Sequence, residues 1–205
     1  MDSWRHAVNT FCFATLVIAF SGFRCTRFPG TSTQFAFRGA NYTSWSSEEY
    51  TTPLSDASLF LLKSTGANYI ALLVTGYMDR ANSTEIYADP LRTPSDPSLV
   101  HAMQVARSYG LKIMLKPHVD SKDGVWRGSI SPSDIEAWFA SYKRFLVHYA
   151  VLAAAHEVEL FCVGTEFRSL SGPEFRAHWE EIIGAVRQVY PGPLVYAANW
   201  DEYSS

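Results

Sequence analysis

One carboxylate stands directly behind an apolar run in the C-terminal half of the chain. Glu166 follows residues 160–165, which read LFCVGT. A carboxylate at the end of a buried strand is partly desolvated, and desolvation favours the protonated form that a general acid needs near neutral pH. Glu166 is therefore the leading candidate for acid–base chemistry. The alternative is a structural ion pair with a neighbouring cation such as Arg127 or Arg168.

Aromatic side chains recur where apolar runs end. The chain contains six Trp and eleven Tyr. The apolar face of a pyranose packs on an aromatic ring, while its hydroxyls need polar partners such as Asn, His and Asp. Any one ring could instead anchor a loop or fill the core, but the shared position predicts a carbohydrate site. The aromatic candidates are Tyr42, Trp45, Tyr77, Trp126 and Trp200.

His118 and Asp120 lie two residues apart in the run LKIMLKPHVD (111–120). On a strand both side chains therefore point to one face. Two ligands do not make a metal site, and no other His ends an apolar run. We expect no metal or other cofactor, and assign both residues to hydrogen bonding with substrate or to support of the residues that contact it. A metal-dependent hydrolase built on this pair is the less favoured alternative.

These candidates lie at the ends of apolar runs that alternate with helical segments. The order is β-α-β-α-β-α-β-α-β, and such runs indicate a parallel sheet covered by helices. Helix starts are predicted at Ser55–Asp56, at Asp96 before Pro97, and at the capping-box pairs Ser133/Glu136 and Ser171/Glu174. The five strands are expected at 35–42, 68–77, 111–120, 158–167 and 194–201.

Loop lengths distinguish two α/β architectures. Links from helix to strand are short, whereas the links 76–95 and 121–132, which follow strands, are long. Barrels build their sites on long loops at the C-terminal ends of strands. No G-x-G-x-x-G or phosphate loop follows the first run, which disfavours a doubly wound dinucleotide-binding sheet. We therefore predict a partial TIM (β/α)8 barrel covering about the first five βα units.

Composition places the chain among globular proteins. Of its 205 residues 47% are hydrophobic and 18% are charged, with a net charge of −3. A disordered chain is excluded, since it could not carry this much apolar mass. A nucleic-acid binder usually shows a basic stripe, which this charge balance does not support. The composition leaves the oligomeric state open.

The N-terminal segment predicts export. Arg5 and His6 precede an apolar run of roughly a dozen residues, a length typical of a signal peptide and short of the roughly 20 that span a bilayer. We expect residues 1–23 to be a signal peptide or short membrane anchor, 24–34 a linker and 35–205 an incomplete barrel. The protein would then be secreted or anchored outside the cell. A buried N-terminal helix or strand is the alternative.

The three cysteines show no disulfide framework. Cys12 lies in the N-terminal apolar run, Cys25 at its edge, and Cys162 inside the run 158–167. Their number and spacing give neither a bridge nor a metal site. Cys162 is expected to be a buried free thiol that packs as a small hydrophobe.

Four segments together resemble glycoside hydrolase family 113, the retaining β-mannanase-like barrels of the large (β/α)8 glycosidase clan. The likeness covers about 35–203, in order and at matching spacing. The segments are LKPHVD (115–120), WRGSISPSDIEAWFASY (126–142), ELFCVGTEF (159–167) and VYAANWDEY (195–203).

The resemblance implies a double displacement with two carboxylates. The general acid/base ends the fourth strand, at the position of Glu166, and the nucleophile ends the seventh. Thr165 stands where the wider clan usually has Asn. The resemblance also implies that the sugar cleft is lined by His118, Trp126, Asn199 and Trp200.

The chain is shorter than a complete barrel, so its expected activity differs from that of the family. A complete barrel takes about 250 residues, and only five strands are predicted here. Asp201 and Glu202 lie at the end of the fifth strand, not the seventh, and are not candidates for the nucleophile. We expect a fragment of an endo-β-1,4-mannanase-like glycosidase that acts on polysaccharide or oligosaccharide and is inactive alone. The alternative is a non-catalytic carbohydrate-binding barrel fragment.

Overall fold

Strands and helices alternate along the whole described part of the chain. The computed structural model describes residues 35–202, so the predicted signal segment, the linker, Cys12 and Cys25 lie outside it. The strands are β1 (Gly39–Tyr42), β2 (Tyr69–Met78), β3 (Lys112–Ser121), β4 (Leu160–Thr165) and β5 (Leu194–Ala197). The helices are α1 (Pro53–Ser64), α2 (Asp96–Ser108), α3 (Ile135–Ala155) and α4 (Arg176–Val189).

The five strands form one parallel sheet in sequential order, β1-β2-β3-β4-β5. The longest pairing joins β2 to β3, from Tyr69 opposite Lys112 to Met78 opposite Ser121. A doubly wound sheet reverses its strand order at a switch point. No reversal occurs within residues 35–202, so every crossover carries the chain forward to the next strand.

The two faces of the sheet differ in chemistry because side chains alternate along each strand. Leu115 and Val119 of β3 belong to the apolar core together with helix residues such as Met103 and Leu146. Lys116, His118 and Asp120 therefore point to the opposite face. The groups that can do chemistry lie on the face turned away from the helices.

Helix α3 starts one residue later than the capping-box spacing predicts. Asp134, not Ser133, is its N-cap, and the carboxylate of Asp134 accepts from the backbone N–H of Ala137 at 3.0 Å. The N–H of Ser133 is held at 3.0 Å by the carbonyl of Asn82 in another loop. This contact keeps Ser133 outside the helix.

The predicted start of α4 at Ser171 is also wrong. A 3-10 turn at Pro173–Phe175 precedes the helix, which begins at Arg176 with no side-chain cap. The hydroxyl of Ser171 donates instead to the carbonyl of Arg168 at 3.3 Å. The first two helices likewise take their caps outside the predicted positions, at Thr52 and Ser95.

Cys162 is a buried free thiol, as expected. Its sulfur lies 3.1 Å from the carbonyl of Gly164. No helix in the described region has both the length and the apolar character needed to cross a bilayer.

Candidate active site

Glu166 directly follows β4 and has a left-handed backbone conformation, with φ of 55°. Its N–H donates to the carbonyl of Ala197 at 2.9 Å, which ties this turn to the end of β5. A non-glycine residue in this conformation costs about 1–2 kcal/mol, and such strain is kept mainly where geometry matters for function. The side chain is 32% exposed, so its desolvation is partial.

Arg127 joins Glu166 to Asp120. The guanidinium Nη1 donates to Glu166 Oε2 at 2.9 Å, while Nη2 donates to Asp120 Oδ1 at 2.6 Å. Arg127 comes from a 3-10 turn after β3 and is only 18% exposed. Arg168, the other cation weighed for Glu166, pairs with Asp201 at 3.1 Å instead. The ion pair expected as a structural alternative is therefore present, and it belongs to the same cluster as the predicted substrate contact Asp120.

His118 is held as a neutral imidazole on the same face of β3. It is 7% exposed, and its Nε2 has no hydrogen-bond partner among residues 35–202. Burial lowers the pKa of His118 to about 2, and the positive charges of Arg127 and Lys116 act in the same direction. A buried ring nitrogen without a protein partner is available to a hydroxyl group of a bound ligand.

Two basic residues of the site are absent from the candidates drawn from the sequence. Burial lowers the pKa of Lys116, an effect that the charges of Cys162 and Glu166 oppose. Lys116 precedes His118 by two residues, so the strand alternation could have indicated it. Arg92 lies in the long loop after β2, and its guanidinium carbon is 5.8 Å from the centre of the Tyr77 ring. No periodicity marks a loop residue of this kind.

A cleft of about 510 Å³ opens beside Arg127 at the C-terminal edge of the sheet. Trp45 and Trp126 contribute exposed rings to it. The ring of Trp126 lies over Gly128, where an added Cβ would meet it at 2.3 Å. The cleft is lined by Trp45, Tyr77, Arg92, Asp120, Ser121, Gly124, Val125, Trp126 and Arg127.

Glu166 and His118 are not part of this cleft lining, and three further predicted site residues are also absent from it. The Tyr42 hydroxyl donates to the carbonyl of Ser55 at 2.8 Å, and its ring stacks on Tyr50. Asn199 donates through Nδ2 to Asp201 Oδ1 at 2.8 Å in the turn after β5. Trp200 in the same turn is largely exposed. Tyr42 thus packs towards α1, and the roles of all three in sugar binding stay predictions.

The described residues contain no group of three or more His, Cys, Asp or Glu side chains placed to hold a metal ion. Asp120, one of the two residues considered as metal ligands, accepts two N–H groups of Arg127 on Oδ1. The cleft itself is lined by one carboxylate, two guanidinium groups and aromatic rings.

Residues 41–205 match the family described as Glycoside Hydrolase Family 113. The chain belongs to this family. The resemblance indicated by the four sequence segments is therefore confirmed. No curated protein sequence matches the chain.

Solved members of family 113 have the same fold. A GH113 β-mannanase from Alicyclobacillus acidocaldarius, in complex with ManMIm, is 32% identical with a TM-score of 0.75 over 81% of this chain and 58% of its own. A complex of a GH113 β-1,4-mannanase is 30% identical with a TM-score of 0.75 over 79% and 55%. The chain thus spans little more than half the length of these family 113 relatives, and its fold is the predicted partial (β/α)8 barrel.

Proposed function

We propose that this chain carries the acid/base half of a retaining glycoside hydrolase that acts on β-1,4-linked mannan or a related polysaccharide. The observation that supports this most directly is the position of Glu166. It follows the fourth strand of a family 113 fold, has a left-handed backbone, and is paired with Arg127 at the edge of an aromatic cleft. The solved relatives described as β-mannanases supply the substrate class.

In the proposed reaction Glu166 acts twice. It first gives its proton to the glycosidic oxygen while a second carboxylate attacks the anomeric carbon and forms a covalent glycosyl-enzyme. It then removes a proton from the water that hydrolyses this intermediate. The proposal assigns the nucleophile to the end of a seventh strand, and residues 35–202 contain five. The active form in this proposal therefore includes further βα units.

The cleft residues have separate proposed tasks. Trp45 and Trp126 stack on the apolar faces of successive sugar rings. His118 and Asp120 bind hydroxyl groups, and a neutral His118 has one ring nitrogen that accepts a hydrogen bond and one that donates. Asn199 and Trp200, in the turn after β5, are proposed to contact the sugar chain beyond these rings.

The test compares two products of the gene: the 205-residue chain and a longer product that includes the downstream reading frame. We expect the longer product to release reducing ends from β-1,4-mannan. In that product Glu166→Gln should lower kcat by at least 100-fold, because the leaving oxygen loses its proton donor. Glu174→Gln, at an exposed carboxylate in the turn before α4, is the matched control and should keep full activity.

Full turnover in Glu166→Gln on an unactivated polysaccharide would rule out the acid/base role. A downstream frame without further strand-and-helix units, or one with no carboxylate ending a seventh strand, would contradict the retaining mechanism for this protein.

The second candidate function is sugar binding without cleavage. It is favoured by one observation: a cleft with two tryptophan rings already exists within this chain. Calorimetry of the 205-residue chain with manno-oligosaccharides distinguishes the candidates. Binding heat without hydrolysis, in the long product as well as the short one, would favour the binding function.

A further inference from the structure

The carboxylates of Asp120 and Glu166 share one guanidinium, and they do not share it equally. Asp120 Oδ1 accepts from both Nε at 3.1 Å and Nη2 at 2.6 Å of Arg127. Nε lies 3.3 Å from the carbonyl of Val119 as well. Glu166 accepts only one hydrogen bond from this guanidinium, from Nη1 at 2.9 Å. Strand β3 therefore fixes the direction of the guanidinium without any help from Glu166.

This asymmetry matters for a residue that must change its protonation state. A protonated Glu166 no longer attracts a cation, so an arginine held only by Glu166 would leave its place. Arg127 keeps two bonds to Asp120 and one to the backbone, so it stays in position when Glu166 takes up a proton. Charge-assisted hydrogen bonds of this kind are shorter and stronger than hydrogen bonds between neutral groups.

We propose that Arg127 is the positioning residue of Glu166 and that Asp120 holds Arg127 in place through both protonation states of Glu166. The proposal rests on the acid/base role proposed for Glu166. After Glu166 has given its proton to the glycosidic oxygen, Nη1 of Arg127 donates a hydrogen bond to the carboxylate that results. Asp120 meanwhile holds the guanidinium through Nε and Nη2.

The other charged groups around Glu166 come from β3 and from the turn after β5. Lys116 on β3 interacts with Glu166 electrostatically, and His118 is neutral. On the β5 side Asp201 pairs with Arg168. Glu202 there accepts from the Tyr196 hydroxyl at 2.8 Å. Arg127 is the cation that donates a hydrogen bond to Glu166, so its removal should have the largest effect on that carboxylate.

The test reads the ionisation of Glu166 directly. The 205-residue chain is labelled with 13C at the glutamate carboxyl carbon, and the Glu166 signal is assigned by its loss in Glu166→Gln. We expect Arg127→Gln to move the protonation of this carboxylate to higher pH by about one unit. Asp120→Asn should move it to lower pH, because a negative charge close to Arg127 and Glu166 is gone. Arg127→Lys keeps the positive charge but loses the planar guanidinium with its several N–H donors. The pH at which Glu166 is protonated in this variant should lie between those of Arg127→Gln and the unmodified chain.

A different result is expected if the ion pairs of Arg127 only stabilise the contact between the ends of β3 and β4. Charge alone would also shift the Glu166 titration in opposite directions in Arg127→Gln and Asp120→Asn, so Arg127→Lys is the deciding variant. A cation that acts by charge alone would leave the Glu166 titration of Arg127→Lys equal to that of the unmodified chain. Arg168→Gln is the matched control, since it removes a surface cation that pairs with Asp201 at 3.1 Å. It should leave the Glu166 signal in place. Shifts of the same sign for Arg127→Gln and Asp120→Asn, no shift in either, or an Arg127→Lys titration equal to that of the unmodified chain would overturn the proposal.

This readout is independent of the proposed hydrolysis. Opposite shifts in a protein whose longer product does not cleave mannan would support the positioning role and remove the proposed function. Cleavage of mannan without opposite shifts would leave the function standing and remove the positioning role.

Discussion

At the scale of single residues the site depends on which polar groups find partners inside the protein. The carboxylates of Asp120 and Glu166 are paired by Arg127, and Tyr42 is satisfied by Ser55. His118 is the exception, because its Nε2 has no partner among the described residues although the side chain is nearly fully buried. An unpaired polar group at such depth costs about 1–3 kcal/mol. A group of this kind is expected where a ligand supplies the missing hydrogen bond.

The buried His118 should make the protein less stable in mild acid. The folded state keeps it neutral down to about pH 2, whereas the unfolded chain takes up a proton near pH 6.5. Stability is therefore lost as pH falls below about 6.5. Replacing His118 by Gln should reduce the stability lost between pH 7 and pH 5 by up to about 2 kcal/mol, measured by urea unfolding at both pH values.

The control for this experiment is His156→Gln, because His156 directly follows α3 and its side chain is only partly buried. It should leave the pH dependence close to that of the unmodified chain. If the free energy of unfolding changes equally with pH in His118→Gln and in the unmodified protein, His118 protonates in the folded state.

The two tryptophans of the cleft give a prediction about binding. Each ring that stacks on a sugar contributes on the order of 1 kcal/mol, so Trp126→Ala should weaken manno-oligosaccharide binding by roughly 5- to 10-fold. Trp45→Ala should have a similar effect. Calorimetry measures both, with Leu91→Ala as an exposed apolar control outside the cleft lining. Equal affinities in all four proteins would contradict a sugar site at this cleft.

At the scale of elements, apolar periodicity placed each strand and helix and left their ends uncertain. An end depends on what else its residues contact. Strand β1 begins at Gly39, although the apolar run starts at Phe35, and β5 ends at Ala197, although the run continues to 201. Both are edge strands in the described sheet and pair with one neighbour each. Backbone pairing ends where that neighbour ends, whatever the hydropathy of the next residue.

The start of α3 offers a test of this point. Asp134→Ala should destabilise the protein by about 1 kcal/mol, because the N–H of Ala137 loses its acceptor at the helix start. Ser133→Ala, one residue earlier, should cost less than half of that, since only the backbone of Ser133 is engaged. Urea unfolding of the two variants gives the comparison. A larger cost for Ser133→Ala would restore the predicted capping box.

At the scale of the whole molecule, the open sheet is the property with the widest consequences. Strands β1 and β5 each carry an unpaired edge within the described region, and such edges invite association. The chain covers 55–58% of its solved β-mannanase relatives. We propose that further βα units close these edges in the active protein.

Closure predicts a difference in stability between the two gene products. The longer product should unfold at a higher temperature than the 205-residue chain and should stay monodisperse as its concentration rises. Differential scanning calorimetry and light scattering measure the two properties. A 205-residue chain that is monomeric at high concentration and as stable as the longer product would contradict the proposed closure.

Export of the protein stays a proposal, because residues 1–23 lie outside the described part of the chain. Expression in a secreting host should place the protein in the medium or on the membrane. N-terminal sequencing of protein recovered from the medium would then read the cleavage site, and a membrane-anchored protein would keep its N-terminus. Recovery of the intact N-terminus from the host cytoplasm would contradict the signal peptide.

The sequence by itself determined the order of the elements, the parallel sheet and the position of Glu166 behind β4. These follow from local periodicity and from residues that are neighbours in the chain. It also placed Asp120 at the end of β3.

The partners of these groups were decided by the tertiary structure. In the sequence, Arg127 and Arg168 were equal candidates for an ion pair with Glu166. In the folded protein Arg127 pairs with Glu166, and Arg168 pairs with Asp201. Charge attraction has no sequence period, so the path of each loop decides which cation arrives within 3 Å of a carboxylate.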